Sequence, residues 1–260
     1  MKPSLEKQKD VTYLDIQAAV GITKHIGGFR ATDELISLCR MNMAREVLNV
    51  GCGIGVGPAY IARKYTCRVV GVDISEQMVA WSRQRAREEK VEDRVEFRVA
   101  DVLDLPFEDD RFDAVLVESV LAFVKDKTRA VSECVRVTKP GGYIGLNETI
   151  WLNLPSAEII RLSWSLVGPV EMPLKETWQV LWASSGLEEQ TISCHSIQGR
   201  SEIRDRLEWV GWRWALRGFY RLARLYLRNP AARRSIKEQM RSPKQAIESF
   251  GYMLLSGRKP

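Results

Sequence analysis

Between Glu46 and Asp73 the chain sets Gly51, Gly53, Gly55 and Gly57 at every second position, after the apolar run Val47 to Val50 and before a second run that ends on Asp73. Bare backbone at a strand-to-helix turn lets a ligand lie against the helix N-terminus, and an acid at the tip of the next strand can accept both hydroxyls of a ribose. The pattern points to a nucleoside-bearing ligand. A dinucleotide fingerprint G-x-G-x-x-G started at Gly51 would need glycine at 56, where Val56 stands, whereas G-x-G-x-G is met by Gly51, Gly53 and Gly55. An NAD-dependent oxidoreductase is therefore disfavoured. Glu118, Glu148 and His25 are the candidate proton acceptors, and residue type does not rank them.

These residues must be positioned by alternating strands and helices. Pro58 suits a first helical turn, Ala59 to Lys64 continues it, and Cys67 to Val72 is a β-branched, almost uncharged strand. Ser75 caps a helix from Glu76 to about Glu89 with Met78, Val79 and Ser82 facing inward. Val95 to Val99, Phe112 to Val117 and Tyr143 to Leu146 read as further strands, the last delivering Asn147 and Glu148 to the carboxyl edge of the sheet. Lys127 to Val137 is an amphipathic helix stopped by Lys139-Pro140-Gly141-Gly142. Upstream, Tyr13 to Val20 is helical, GITKHIGGFRAT is loop-like, and Thr32 is expected to cap a helix from Asp33 to about Met41. Five strands alternating with helices give an α/β fold with a doubly wound parallel sheet.

The glycine loop, Asp73 and the Lys139–Gly142 turn together resemble the class I S-adenosylmethionine-dependent methyltransferases, small-molecule branch, over residues 46 to 150. The resemblance implies a Rossmann-like, mostly parallel seven-stranded sheet closed by Gln190 to Ile197 and Tyr252 to Ser256, one strand antiparallel to the rest. It also implies S-adenosyl-L-methionine as cofactor. The methionine part would lie on Gly51, Cys52, Gly53 and Gly55, the ribose on Asp73, and the adenine beside Asp101 and Val102. Ile74, Met78, Glu118, Ser119 and an N-terminal aromatic such as Tyr13 complete the expected cofactor set, with the loop from His25 to Phe29 close by. Asn49 stands where the family usually has Asp or Glu, which removes a charge but keeps hydrogen-bonding capacity. Base-modifying members carry Asn or Asp, prolines and an aromatic after the fourth strand; here Glu118-Ser119-Val120-Leu121 follows, which argues against methylation of an amino base.

Length and composition fit one domain with additions: a helical lid over 1–45, a cofactor-binding core over 46–199, an insertion over 200–247 and a final strand over 248–260. No run approaches the ~20 apolar residues of a membrane span, and the opening MKPSLEKQKD lacks a signal peptide's apolar core, so a cytoplasmic location is expected. Five scattered cysteines fit a reducing compartment, and two distant histidines make a metal site improbable.

The net charge of +6 is local: residues 200–247 hold 13 Lys or Arg against 4 Asp or Glu. Arg213, Arg217, Arg221, Arg224 and Arg228 recur at helical spacing beside an apolar row of Trp212, Leu216, Phe219, Ala223 and Leu227. The simplest expectation is that this row packs on its own domain as a cap and the arginines face solvent. Peripheral membrane contact through 209–228 and a grip on RNA are the alternatives. Gly211 and Gly218 fit a movable lid, and Trp151, Trp164, Trp178 and Trp182 could line an apolar pocket. The favoured activity is methyl transfer to an N, O or C nucleophile of a small, hydrophobic molecule. An RNA methyltransferase and a catalytically silent cofactor binder compete with it.

Overall fold

Each of the five apolar segments becomes a parallel strand: β1 (Glu46–Val50), β2 (Arg68–Asp73), β3 (Val95–Val99), β4 (Phe112–Glu118) and β5 (Thr138–Trp151). The computed structural model describes residues 11–23, 25–167, 172–197, 207–240 and 249–260, with the side chains at 162, 164–167 and 238–240 outside the description. Expectations for 1–10, 200–206, 241–247 and the Trp164 side chain lie outside it. β6 (Glu188–Ser196) and β7 (Phe250–Arg258) complete a seven-stranded sheet of order β3-β2-β1-β4-β5-β7-β6, in which β7 is antiparallel to both neighbours. The chain winds outward from β1 to β3, then returns to β4 on the other side of β1. In open α/β sheets a ligand crevice forms at that reversal, beyond the carboxyl ends of β1 and β4.

Central strands covered on both faces need uninterrupted apolar sequence. On one face Leu48, Val50, Val115, Val117 and Ile144 pack with α5 (Lys127–Val137) and α7 (Lys175–Ala183). On the other, Val47, Val69 and Leu116 meet α2 (Gly28–Leu38), α3 (Val56–Lys64) and α4 (Glu76–Glu88). Trp178 and Trp182 are core residues of the first layer, with Trp182 Nε1 donating to Ser256 O at 3.1 Å, and Trp151 packs on Phe250 at 4.6 Å. They do not form the pocket expected of them.

Three other expectations are corrected. The helix expected to start behind Thr32 begins at Gly28, because Gly27 takes a φ of 79° that turns the chain into it. Thr32 is therefore buried inside α2, and Leu35 and Ile36 of that helix belong to the sheet's core, while α1 (Tyr13–Val20) packs on the insertion and on α4, and the loop after it brings Thr23 and His25 to the site. Residues Lys139–Gly142 do not end before β5; they form a bulge within it, between the pairs Phe112↔Thr138 and Ala114↔Tyr143.

Between α6 (Ala157–Val167) and the last strand lies the third correction. The insertion's main helices are α8 (Trp212–Arg228) and α9 (Pro230–Met240), with a turn of helix at 207–210 before them. α8 docks on α1 and α4 through Trp214, Gly218 and Arg221, not through the row that was expected to pack. Gly218 is a close-packing site: a Cβ there would lie 2.4 Å from Ile22 Cδ1.

Candidate functional site

The site grows from the β1–α3 turn. Gly51 has a φ of 69°, and a Cβ on it would fall 2.1 Å from a methyl of Val120 in the loop after β4. At Gly55 the φ is 78° and a Cβ would sit 2.9 Å from Ser82 Cα in α4, which is backbone and cannot yield. Both positions thus admit glycine alone, and the turn they make leads directly into the N-terminus of α3. The Gly53 N–H donates to Asp73 Oδ2 and the Ser75 N–H to Oδ1, each at 2.9 Å. Burial raises the Asp73 carboxyl above its ordinary value while those two N–H groups pull it down. Each Asp73 oxygen keeps a lone pair for a further donor.

Beside the turn lies a cleft whose lining includes Asn49, Gly51, Cys52, Gly57 and Glu118 from the sheet and its glycine turn, and Thr23, His25 and Trp209 facing them. Asn49 is buried at the end of β1, beside α3. The Cys52 thiol is pushed well above its ordinary value by burial, so it packs and does not react. Trp209, from the insertion, stacks on the His25 ring at 4.0 Å and 16° and closes the outer wall. Arg85 of α4 fixes this wall to the glycine loop: its Nε donates to Ile54 O at 3.0 Å, its Nη2 to Val210 O at 3.1 Å, and its guanidinium covers Trp214.

Deepest in the cleft is a polar chain. His25 Nε2 lies 3.2 Å from Gly28 O, 2.9 Å from Thr32 Oγ1 and 3.5 Å from Glu118 Oε1; Thr32 Oγ1 donates to that same oxygen at 2.9 Å. A carbonyl only accepts, so in the neutral ring Nε2 carries the proton and Nδ1 keeps its lone pair. Three buried polar atoms in or near this region, Ser119 Oγ, Asn147 Oδ1 and Trp209 Nε1, have no hydrogen-bond partner among the described residues. Unpaired buried groups of this kind cost free energy unless a ligand meets them.

Of the expected site residues, Asn49, Gly51, Cys52 and Glu118 line the cleft, with His25 opposite. Gly53 and Gly55 are buried within the turn, Asp73 ends β2 beside it, and the Ile74 side chain is exposed, as a face for an aromatic ring would be. Ser119 holds a φ of 60° at the end of β4. Asp101 follows β3 with its carboxylate accepting from Leu103 N at 2.9 Å. Val102 and Met78 are buried in apolar clusters. Tyr13 is buried at the start of α1 with its hydroxyl accepting from Gln17, away from the cleft lining.

Glu148 is the candidate base that the geometry removes. Its side chain is fully buried, and its oxygens accept from the N–H groups of Val120 at 3.0 Å, Leu121 at 2.8 Å and Ala122 at 3.3 Å. It anchors the loop that follows β4, and alternation along β5 puts Asn147 beside Glu118 on the site's side instead. Thr23, Thr32, Asn147 and Trp209 were not anticipated. Only Asn147 carried a signal, its place at a strand's carboxyl end.

Residues 48–146 match the model of a family described as a methyltransferase domain. A curated relative from Streptomyces halstedii, the methyltransferase GfsG, is 34% identical over 123 residues, which cover 47% of this chain and 44% of that protein. The 27-O-demethylrifamycin SV methyltransferase of Amycolatopsis mediterranei is 28% identical over 235 residues, 89% of this chain and 83% of that one. Among solved structures the [4+2]-cyclase SpnF superposes with a TM-score of 0.74 at 23% identity, covering 95% and 92% of the two chains. At that identity the likeness concerns the fold.

Proposed function

We propose that this chain, a member of the class I S-adenosylmethionine-dependent methyltransferases, methylates a small organic molecule seated in the cleft between the glycine loop and Trp209. The observation that carries this reading is the cleft itself, lined by the glycine turn, by His25 and by Glu118, which the buried Thr32 hydroxyl holds from behind. The positive-φ turn, the Asp73 carboxylate and the unpaired Ser119 and Asn147 atoms suit a zwitterionic nucleoside ligand. When bound, the cofactor supplies a methyl group on a sulfonium whose departure leaves a neutral thioether.

The chain's own residues have to orient a nucleophile behind that methyl group, exclude water, and take a proton. Trp209 and Phe29, whose rings lie 4.6 Å apart, keep water from the His25 wall. His25 Nδ1 takes the acceptor's proton; the resulting imidazolium is held by Glu118, directly through Nε2 and through the Thr32 hydroxyl. A hydroxyl or phenol benefits most from such a base. That fits the relative named for the 27-O position of a rifamycin.

The RNA alternative loses support because Arg217 pairs with Glu88 at 2.9 Å and Arg221 is folded onto Val20 and Trp81, so the arginine row does not line the cleft. The test is transfer of labelled methyl from S-adenosylmethionine to pools of phenols, hydroxylated macrocycles and amines. Uptake by a hydroxylated acceptor is expected, with His25→Ala lowering kcat by about 10²-fold or more while cofactor affinity is kept. Cofactor binding without turnover on any pool would turn the reading to a silent binder, and an unchanged kcat in His25→Ala would remove the assigned base.

A further inference from the structure

We infer that α8 is a docking face for an anionic lipid surface. The helix has three faces. At 100° per residue, Trp214, Gly218, Leu222 and Leu225 lie on one, and this is the face turned to α1 and α4. Trp212, Leu216, Phe219, Tyr220, Ala223 and Leu227 fall in an arc of about 100° turned away from the protein. Their exposure decides the matter: Trp212 is 66%, Leu216 63%, Phe219 71%, Tyr220 70% and Leu227 72% exposed. Arg213, Arg217, Arg221, Arg224 and Arg228 occupy the next arc of about 80°; Arg217 pairs with Glu88 and Arg221 folds onto Val20 and Trp81, which leaves Arg213, Arg224 and Arg228 for the outer surface, and the helix contains no carboxylate.

Contiguous large apolar side chains on a protein surface mark an interaction site. The chemistry of the partner follows from the two outer faces read together. A bilayer interface offers an apolar layer beneath a sheet of anionic headgroups, and a helix with a Trp, Phe and Leu stripe beside an arginine row satisfies both while lying in the interface plane. Seventeen residues give a contact about 25 Å long. Among the described residues no helix is long and apolar enough to cross a membrane, so the contact is peripheral.

Two other occupants fit less well. An antiparallel two-fold pairing of α8 with a second copy would bring both arginine rows to the same edge, where like charges oppose. RNA would use the arginines but would leave Leu216 and Leu227 in water. The proposal is independent of which acceptor the cleft takes.

The test is flotation of the full chain with vesicles of phosphatidylcholine mixed with phosphatidylglycerol, and with vesicles of phosphatidylcholine alone. Arg213, Arg224 and Arg228 at about fivefold each predict a preference for the mixed vesicles on the order of a hundredfold. The triple Arg213→Gln, Arg224→Gln, Arg228→Gln variant is expected to lose that preference. Leu216→Ser with Phe219→Ser is expected to weaken binding to the mixed vesicles at least about tenfold. Calorimetric titration with S-adenosylmethionine, unchanged in both, verifies that the variants are folded. Absence of binding, equal binding to the two vesicles, or indifference to either variant overturns the proposal. So does a concentration-dependent doubling of mass abolished by Phe219→Ser, which assigns the face to a second copy, or tighter retention of RNA than of vesicles.

Discussion

Glu148→Gln should reverse the sign of its effect on stability between acid and neutral pH. Burial lifts the Glu148 carboxyl from its ordinary 4.5 to about 7, against the pull of three backbone N–H groups. A carboxyl whose folded value is raised binds more protons folded than unfolded between those two points. Stability therefore falls as pH rises from about 4.5 to about 7 and is level above. The interval of about 2.5 pH units at about 1.4 kcal/mol each gives a charging penalty of about 3 kcal/mol. Glutamine cannot charge and escapes that penalty. Its amide oxygen keeps the Val120 and Leu121 N–H groups, but its NH₂ faces the Ala122 N–H, donor to donor, losing the longest of the three bonds at about 1 kcal/mol. The variant should thus be less stable than the parent by about 1 kcal/mol at pH 3, nearly equal to it at pH 5, and more stable by about 2 kcal/mol at pH 8. Denaturant unfolding of both proteins across that range measures the difference directly. A difference that stays constant with pH would refute the reasoning and mean that the three N–H groups hold Glu148 charged throughout.

Asp73→Ala removes the acceptor for Gly53 N–H and for a ribose, so affinity for S-adenosylmethionine should fall by about 10- to 100-fold in calorimetry, with Asp73→Asn intermediate. Arg85→Met strips hydrogen bonds from the carbonyls of Ile54 and Val210 and releases Trp214. It should cost about 2–4 kcal/mol of stability in urea unfolding and raise KM for the cofactor more than it lowers kcat, because Trp209 lies next to the freed segment. A KM unchanged in Arg85→Met would show that the insertion closes the cleft without that tie.

The sheet was legible because its strands are short apolar runs with glycine or acid at their ends, and because Asp73 follows the G-x-G-x-G turn at the distance a βαβ unit requires. The rest was hidden for reasons that can be named. Gly27 and Gly28 look like a loop, yet a glycine with positive φ is also a way to open a helix, so Thr32 passed for a cap when it belongs to the polar chain with Glu118. In α8 the face that packs contains Gly218 and Arg221, which look solvent-facing, while the exposed face holds Trp212, Leu216 and Phe219. Amphipathic pattern gives the existence of an apolar stripe but not what lies against it. Trp209 could not be placed, because its contact with His25 joins residues 184 positions apart.

β6 and β7 are hydrogen-bonded neighbours, yet the whole insertion passes between them, from Ser196 to Phe250. Closing a loop of 53 residues in place of a hairpin of about four costs only about 2 kcal/mol of chain entropy, since the penalty grows with the logarithm of length. The sheet is thus nearly indifferent to what is threaded through that gap. A segment such as the one that supplies Trp209 and α8 can therefore be lengthened or exchanged at little cost to the sheet, and the glycine turn at the far strands is left as it was.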